Sequence, residues 1–230
     1  MNRLYLVGEH HYDLDLAERQ MKLLHLLQPT VIGVEQTEEG FKDELTFEEM
    51  LSSAREFNIT ISSWMDIYPD ANRETLRRFL AQSYTAPSGM TRYATSNRIP
   101  LVYCEHPGEA EKYVADAEQA DFHDDPDLDM LHDVLCLDLE WARTHFRSIY
   151  GRDTYHVNPD IVESCSLRDA YAESRLRPLS GTIVHFGGLD HLFGEYHPNL
   201  ADRLADLNPL LIRLHEADDI GKLRKRLGVS

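Results

Sequence analysis

Short apolar runs alternate along this chain with stretches of helical periodicity. Leu4-Tyr5-Leu6-Val7 is the first run and reads as a buried strand meeting the polar Glu9-His10-His11. Asp15 with Glu18 three residues later predicts a capping box. Leu16, Leu23, Leu24 and Leu27 then recur at helical spacing until Gln28-Pro29 ends the element. Thr30 to Val34 reads as the next strand, with Glu35 at its carboxyl end. The intervening helix then crosses between two parallel strands, a βαβ unit.

Beyond it the pattern predicts an acidic segment of helical tendency over 40–57 and a third strand at Asn58-Ile59-Thr60-Ile61-Ser62. A helix over 72–83 carries Leu76, Phe79 and Leu80 on one face, and a shorter helix covers 88–96. Pro100 to Cys104 is a fourth strand, ending at Glu105-His106-Pro107. Helices are expected over 108–120 and 128–149, separated by the acidic run 121–129, with an irregular connection over 151–159. Ser166 with Asp169 predicts the start of a helix to Leu176, followed by a strand over 182–186 and a helix from Pro198 to Leu207. Leu210 to Leu214 forms the last strand, and a basic amphipathic helix over 219–227 docks on the body.

No Gly/Ser-rich linker divides residues 1–230. The expectation is one α/β domain of three layers, a mostly parallel central sheet flanked by helices. In such folds the loops beyond the carboxyl ends of the strands converge on the ligand crevice. Glu9, His11, Glu35, Glu105, His106 and His191 all sit at such ends.

Composition narrows the function. The chain is 42% hydrophobic, ordinary for a protein with a sizeable core, and has neither a bilayer-length apolar run nor a leader-like start. A cytoplasmic protein without membrane insertion is expected. Cys104, Cys136 and Cys165 are odd in number and irregularly spaced, so neither a disulfide framework nor a thiolate zinc cluster is signalled. The net charge of -17 disfavours nucleic acid as a partner. With 18 Arg against 5 Lys, the composition suits either a high-salt cytoplasm or a GC-rich genome. Asp124, Asp125, Asp127 and Asp129 lack the glycine and closing glutamate of a calcium loop and read as a solvated turn.

Chemistry concentrates in a repeated tetrad. Gly8-Glu9-His10-His11 and Gly188-Leu189-Asp190-His191 are both Gly-x-x-His, and each follows an apolar run. One site closed by both ends of the chain is the expectation. His11 and His191 supply imidazole ligands for a metal, and Glu9 and Glu35 a carboxylate ligand or general base. His106 is a third imidazole or a hydrogen-bonding neighbour, and the roles of His10 and His185 stay open. Arg168, beside Asp169, steadies the carboxylates or holds an anion or developing oxyanion.

These motifs resemble those of the TraB/PrgY-like proteins. Leu6 to His11 and Pro29 to Glu35 look like that family's opening, and Arg168-Asp169, the strand 182–186 and Gly188 to His191 like its second half. The family is grouped with the Tiki proteases, erythromycin-esterase-like enzymes and ChaN-like proteins. The resemblance implies a TraB-like or EreA/ChaN-like α/β fold and, from its Tiki-like members, a metal-dependent peptidase. There the motif histidines and a glutamate map onto His11, His191 and Glu35, and the helix arginine onto Arg168. Glu9 sits where erythromycin-esterase-like members also carry glutamate.

The expected function is a metal-dependent hydrolase of an amide or ester bond in a peptide or small molecule. A divalent Zn, Mn or Co ion activates the water, Glu9 or Glu35 accepts its proton, and Arg168 or His106 stabilises the oxyanion. The alternative is a non-catalytic protein that sequesters a peptide, porphyrin or metal in the same cleft. The residues leave the oligomeric state open, homodimer included.

Overall fold

Five strands form one sheet in the order β3-β2-β4-β1-β5, with every pairing parallel. They are β1 (Arg3–Glu9), β2 (Val31–Val34), β3 (Leu101–Tyr103), β4 (Thr182–Gly188) and β5 (Leu210–Arg213). The computed structural model describes residues 2–42, 54–82, 87–109, 111 and 126–229. Most of the predicted 40–57 segment and 108–120 helix, and the acidic run through Asp125, lie outside the described residues.

Both faces of the sheet are covered, which explains strands without a polar side. Tyr5 and Val7 of β1 join Val184 and Phe186 of β4 in a core with Leu16, Leu23 and Leu24 of α1 (Leu16–Leu27). Leu4, Leu6 and Ile183 point the other way, onto Ala172 and Leu176 of α2 (Val162–Leu176). The period of two along each strand thus sorts side chains between two helical layers. Sheet and flanking helices form a three-layer α/β fold with a parallel centre. Among the described residues no helix is long and apolar enough to cross a membrane.

The local exceptions have physical causes. Asn58 to Ser62, expected as a strand, lies within a helix, Ala54–Ile67. Ile59 is 54% exposed and Ile61 fully buried, the outcome of helical rather than alternating geometry. Burying Ile61 contributes about 2 kcal/mol, more than the roughly 0.5 kcal/mol that β-branching costs a helical residue. The single helix expected over 128–149 is two, Pro126–Cys136 and Leu139–Tyr150. Asp138 starts the second by accepting hydrogen bonds from Glu140 N and Trp141 N at 3.1 and 3.0 Å. The α2 helix begins at Val162 rather than Ser166, whose Oγ instead accepts a hydrogen bond from Arg203 at 2.9 Å. The expected Asp15–Glu18 capping box does not form. Asp15 makes no cap bond and accepts from Arg78 and Arg143 instead.

Arg19 of α1 is buried and clamped by Asp13 at 2.5 Å and Asp218 at 2.9 and 2.7 Å. Tyr150 donates to Asp13 at 2.8 Å and accepts from the His10 backbone N–H at 3.1 Å. This network ties the loop after β1 to α1 and to two distant segments, at Tyr150 and Asp218.

Candidate functional site

The sheet order brings the two tetrads side by side. Strands β1 and β4 are hydrogen-bonded neighbours with Gly8 opposite Gly187 and Glu9 opposite Gly188. Glu35 follows β2 on the other side of β4, its backbone N–H donating to Phe186 O at 3.2 Å. Gly188 precedes a short helix, α3 (Leu189–Phe193), that carries His191. Three residues make nearly one helical turn, so the Gly-x-x-His spacing returns the imidazole over the glycine. A Cβ placed on Gly188 would lie 3.5 Å from each of His11 Nε2, Glu35 Oε2 and His191 Cδ2. The two motif histidines are therefore within twice that distance of one another.

Glu35 is the hub. Its Oε1 lies 2.6 Å from Arg168 Nη2 and 3.2 Å from His191 Nε2, and its Oε2 accepts the Gly188 N–H. On the far side of the ring, His191 Nδ1 lies 2.6 Å from Asp169 Oδ1. Tyr196 donates to the other Asp169 oxygen at 2.6 Å. Arg168 also grips Glu105, Nε to Oε1 at 2.9 Å and Nη2 to Oε2 at 2.5 Å. Two cations and three carboxylates thus interlock beneath the strand ends.

Burial alone would lower the pKa of His191, but Glu35 and Asp169 together raise it well above its ordinary value. Burial would likewise raise that of Glu35, but His191 and Arg168 hold it well below the usual carboxylate range. The pair is an imidazolium facing a carboxylate. His185, on the same face of β4, is pushed down to about 4 by burial and stays neutral. Gly187 keeps this corner open: a Cβ there would come within 3.0 Å of Glu35 Oε2 and His185 Nε2.

The other expected site residues are spread around this cluster. Glu9 lies on the α1 face with Tyr5 and Val7, where Oε2 accepts from Gln20 Nε2 at 2.9 Å. Its Oε1 is 4.0 Å from His11 Nδ1. His106 turns from the crevice, accepting the Glu109 N–H at 3.3 Å with its ring edge-on to Tyr171. Glu105 beside it makes the contact to Arg168. His10 packs on Phe146 and is pushed down to about 3, chiefly by burial. His11 is the reachable member, its side chain 54% exposed. Asp169, Glu105 and Tyr196 complete the cluster. The Arg-Asp pair and the strand-end Glu105-His106 were its sequence signals for the first two; Tyr196 had none.

The gap enclosed by Glu35, Glu105, Arg168, Asp169, His185 and His191 is about 10 Å³, room for one water molecule. The most accessible side chain beside this gap is that of His11.

In the arrangement as placed, the polar groups of the cluster pair with one another. Among the described residues no three His, Cys, Asp or Glu side chains form a ligand set. Both ring nitrogens of His191 face carboxylates, and both Glu35 oxygens are engaged. The Arg168 guanidinium places its charge beside Glu35, where a divalent cation would compete with it. What the cluster offers as it stands is proton transfer: a clamped imidazolium and an exposed second imidazole on either side of one glycine. In comparisons with known proteins, the chain matches no family model, no curated sequence and no solved structure.

Proposed function

We propose that the chain is a hydrolase of an amide or ester bond, acting in the cytoplasm on a peptide or small molecule. Acid–base chemistry between His11 and His191 performs the reaction. The observation that carries this reading is the double clamp on His191, Asp169 at 2.6 Å behind the ring and Glu35 at 3.2 Å in front. An imidazole oriented by a buried carboxylate is a recurrent device of acyl-transfer catalysis.

A carboxylate held well below its ordinary range is a weak base, so Glu35 holds charge rather than collecting protons. His11 Nε2, exposed on the approach side, takes a proton from water as the water oxygen attacks the substrate carbonyl carbon. The carbonyl oxygen becomes an oxyanion that takes over the His191 Nε2–H from Glu35, 3.2 Å away. As the bond to the leaving group breaks, His191 Nε2 gives that group its proton. Solvent then carries the proton held by His11 back to His191. Arg168 stays paired with Glu35 and Glu105 and keeps Glu35 charged.

The test is turnover of a panel of aryl esters, lactones and short peptides, with chelator and with added Zn²⁺, Mn²⁺ or Co²⁺. Turnover unaffected by chelator and abolished by His191→Ala supports the reading. Turnover that requires metal contradicts the proton-transfer mechanism and means that Glu35 and His191 separate to bind the ion. Inertness to the whole panel under both conditions contradicts hydrolysis and favours a ligand-sequestering role.

A further inference from the structure

A second cavity, of about 440 Å³, opens beside the edge strand β5. It lies within the size range of small-molecule sites. Tyr150, Phe193, Arg213, His215, Lys222 and Arg226 line it, and none of them belongs to the cluster around Glu35. Lys222 and Arg226 come from the basic C-terminal helix, Ile220–Leu227, which the proposed reaction does not use.

Its donors are under-used. Arg213 Nε and His215 Nδ1 are shielded from solvent and have no hydrogen-bond partner among the described residues. Arg213 is otherwise fixed, its Nη2 donating to Arg152 O at 2.9 Å and its guanidinium 4.2 Å from the Phe193 ring centroid. No carboxylate among the described residues pairs with Lys222. The cavity's own carboxylate, Glu216, is neutralised by Arg226 at 2.9 Å and accepts the Arg213 backbone N–H at 2.9 Å. Three cations against one carboxylate stand out on a chain of net charge -17.

We propose that this cavity binds a small organic anion. Its carboxylate or phosphate group lies toward Lys222 and the Arg213 guanidinium, and its apolar body lies against Phe193. The charge-assisted bonds supply orientation and the ring supplies contact area.

Calorimetric titration of the full chain with phenyl phosphate, benzoate and inorganic phosphate at low salt tests it. One of the two aryl anions is expected to saturate a single site, and which one does so identifies the acid group. Inorganic phosphate binds more weakly because it leaves Phe193 uncovered. Lys222→Ala raises the Kd about tenfold. Lys225→Ala, on the same helix but outside the lining, and His191→Ala leave it unchanged. Three results would overturn the proposal: no saturation by either aryl anion up to about 10 mM, equal weakening by Lys222→Ala and Lys225→Ala, or loss of binding in His191→Ala. The second means diffuse attraction only, and the third puts the anion in the other crevice.

Discussion

His191 Nδ1 and Asp169 Oδ1 lie 2.6 Å apart, both side chains buried, on helices that meet only through the fold. Because Tyr196 donates to the second Asp169 oxygen, the carboxylate is fixed and in turn fixes the ring. Asp169→Asn keeps the volume but removes the charge. It should lower the His191 pKa and destabilise the chain by about 3 kcal/mol. It should also cut turnover by roughly 10²-fold or more. Urea unfolding, histidine NMR titration and kinetics check the three separately; an unchanged titration would mean that Asp169 does not act on the ring.

The same clamp sets a pH window for stability. His191 has a folded pKa above its ordinary 6.5, so its contribution is complete below that pH and is lost as pH rises through the folded value. Glu35 is depressed below 4.5, so its contribution is complete above that pH and is lost as pH falls through the folded value. Unfolding free energy measured against pH should therefore fall on both sides of this range. Glu35→Gln should flatten the acid limb. An acid limb identical to that of the parent chain would assign the loss to other carboxylates.

Gly8 links the first tetrad to the second through packing. A Cβ there would come within 2.8 Å of Phe193 Cε2 and 3.0 Å of Leu189 Cδ2, both on the helix that carries His191. Gly8→Ala should cost about 1–3 kcal/mol and lower turnover by shifting that helix. Thermal unfolding and kinetics on the purified variant decide it; full activity with unchanged stability would show that the helix moves freely.

Arg19 offers a contrast, being a buried cation outside the crevice. Arg19→Ala removes the buried cation between Asp13 and Asp218 and should destabilise the chain by about 3 kcal/mol. The His191 titration should stay in place. A shift there would show that the two networks are coupled through the loop after β1.

Much of this was legible in the sequence, and the limits are instructive. Strand ends could be read from Val7, Val34 and Phe186, so the carboxyl-end residues were identifiable as a group. The sheet order was not: β4 inserts between β1 and β2 through contacts far apart in the chain. Glu9 and Glu35 looked equivalent as strand-end glutamates. Alternation separates them, since Glu9 shares a face with Val7 and packs under α1. Glu35 follows the buried Val34 and so points to the α2 side, where Arg168 is. Asp169 was visible as a helix-start residue with Ser166 and as a neighbour of Arg168, not as a partner of His191. Asp169 and Arg168 reach the cluster because α2 passes close over the strand ends, a placement that helix phase alone does not give. His106 resembled Glu105 as a candidate, and the local turn that accepts the Glu109 N–H decided between them.

The proposed reaction requires His191 to be a charged acid held by Glu35 and Asp169. Ring-nitrogen NMR of ¹⁵N-histidine-labelled protein, titrated from neutral to alkaline pH in chelator and again with Zn²⁺, tests it most directly. One histidine, absent from the His191→Ala spectrum, is expected to stay doubly protonated well above 6.5 and to be indifferent to Zn²⁺. A neutral His191 at pH 7, or an Nε2 signal that moves on adding Zn²⁺, would contradict it.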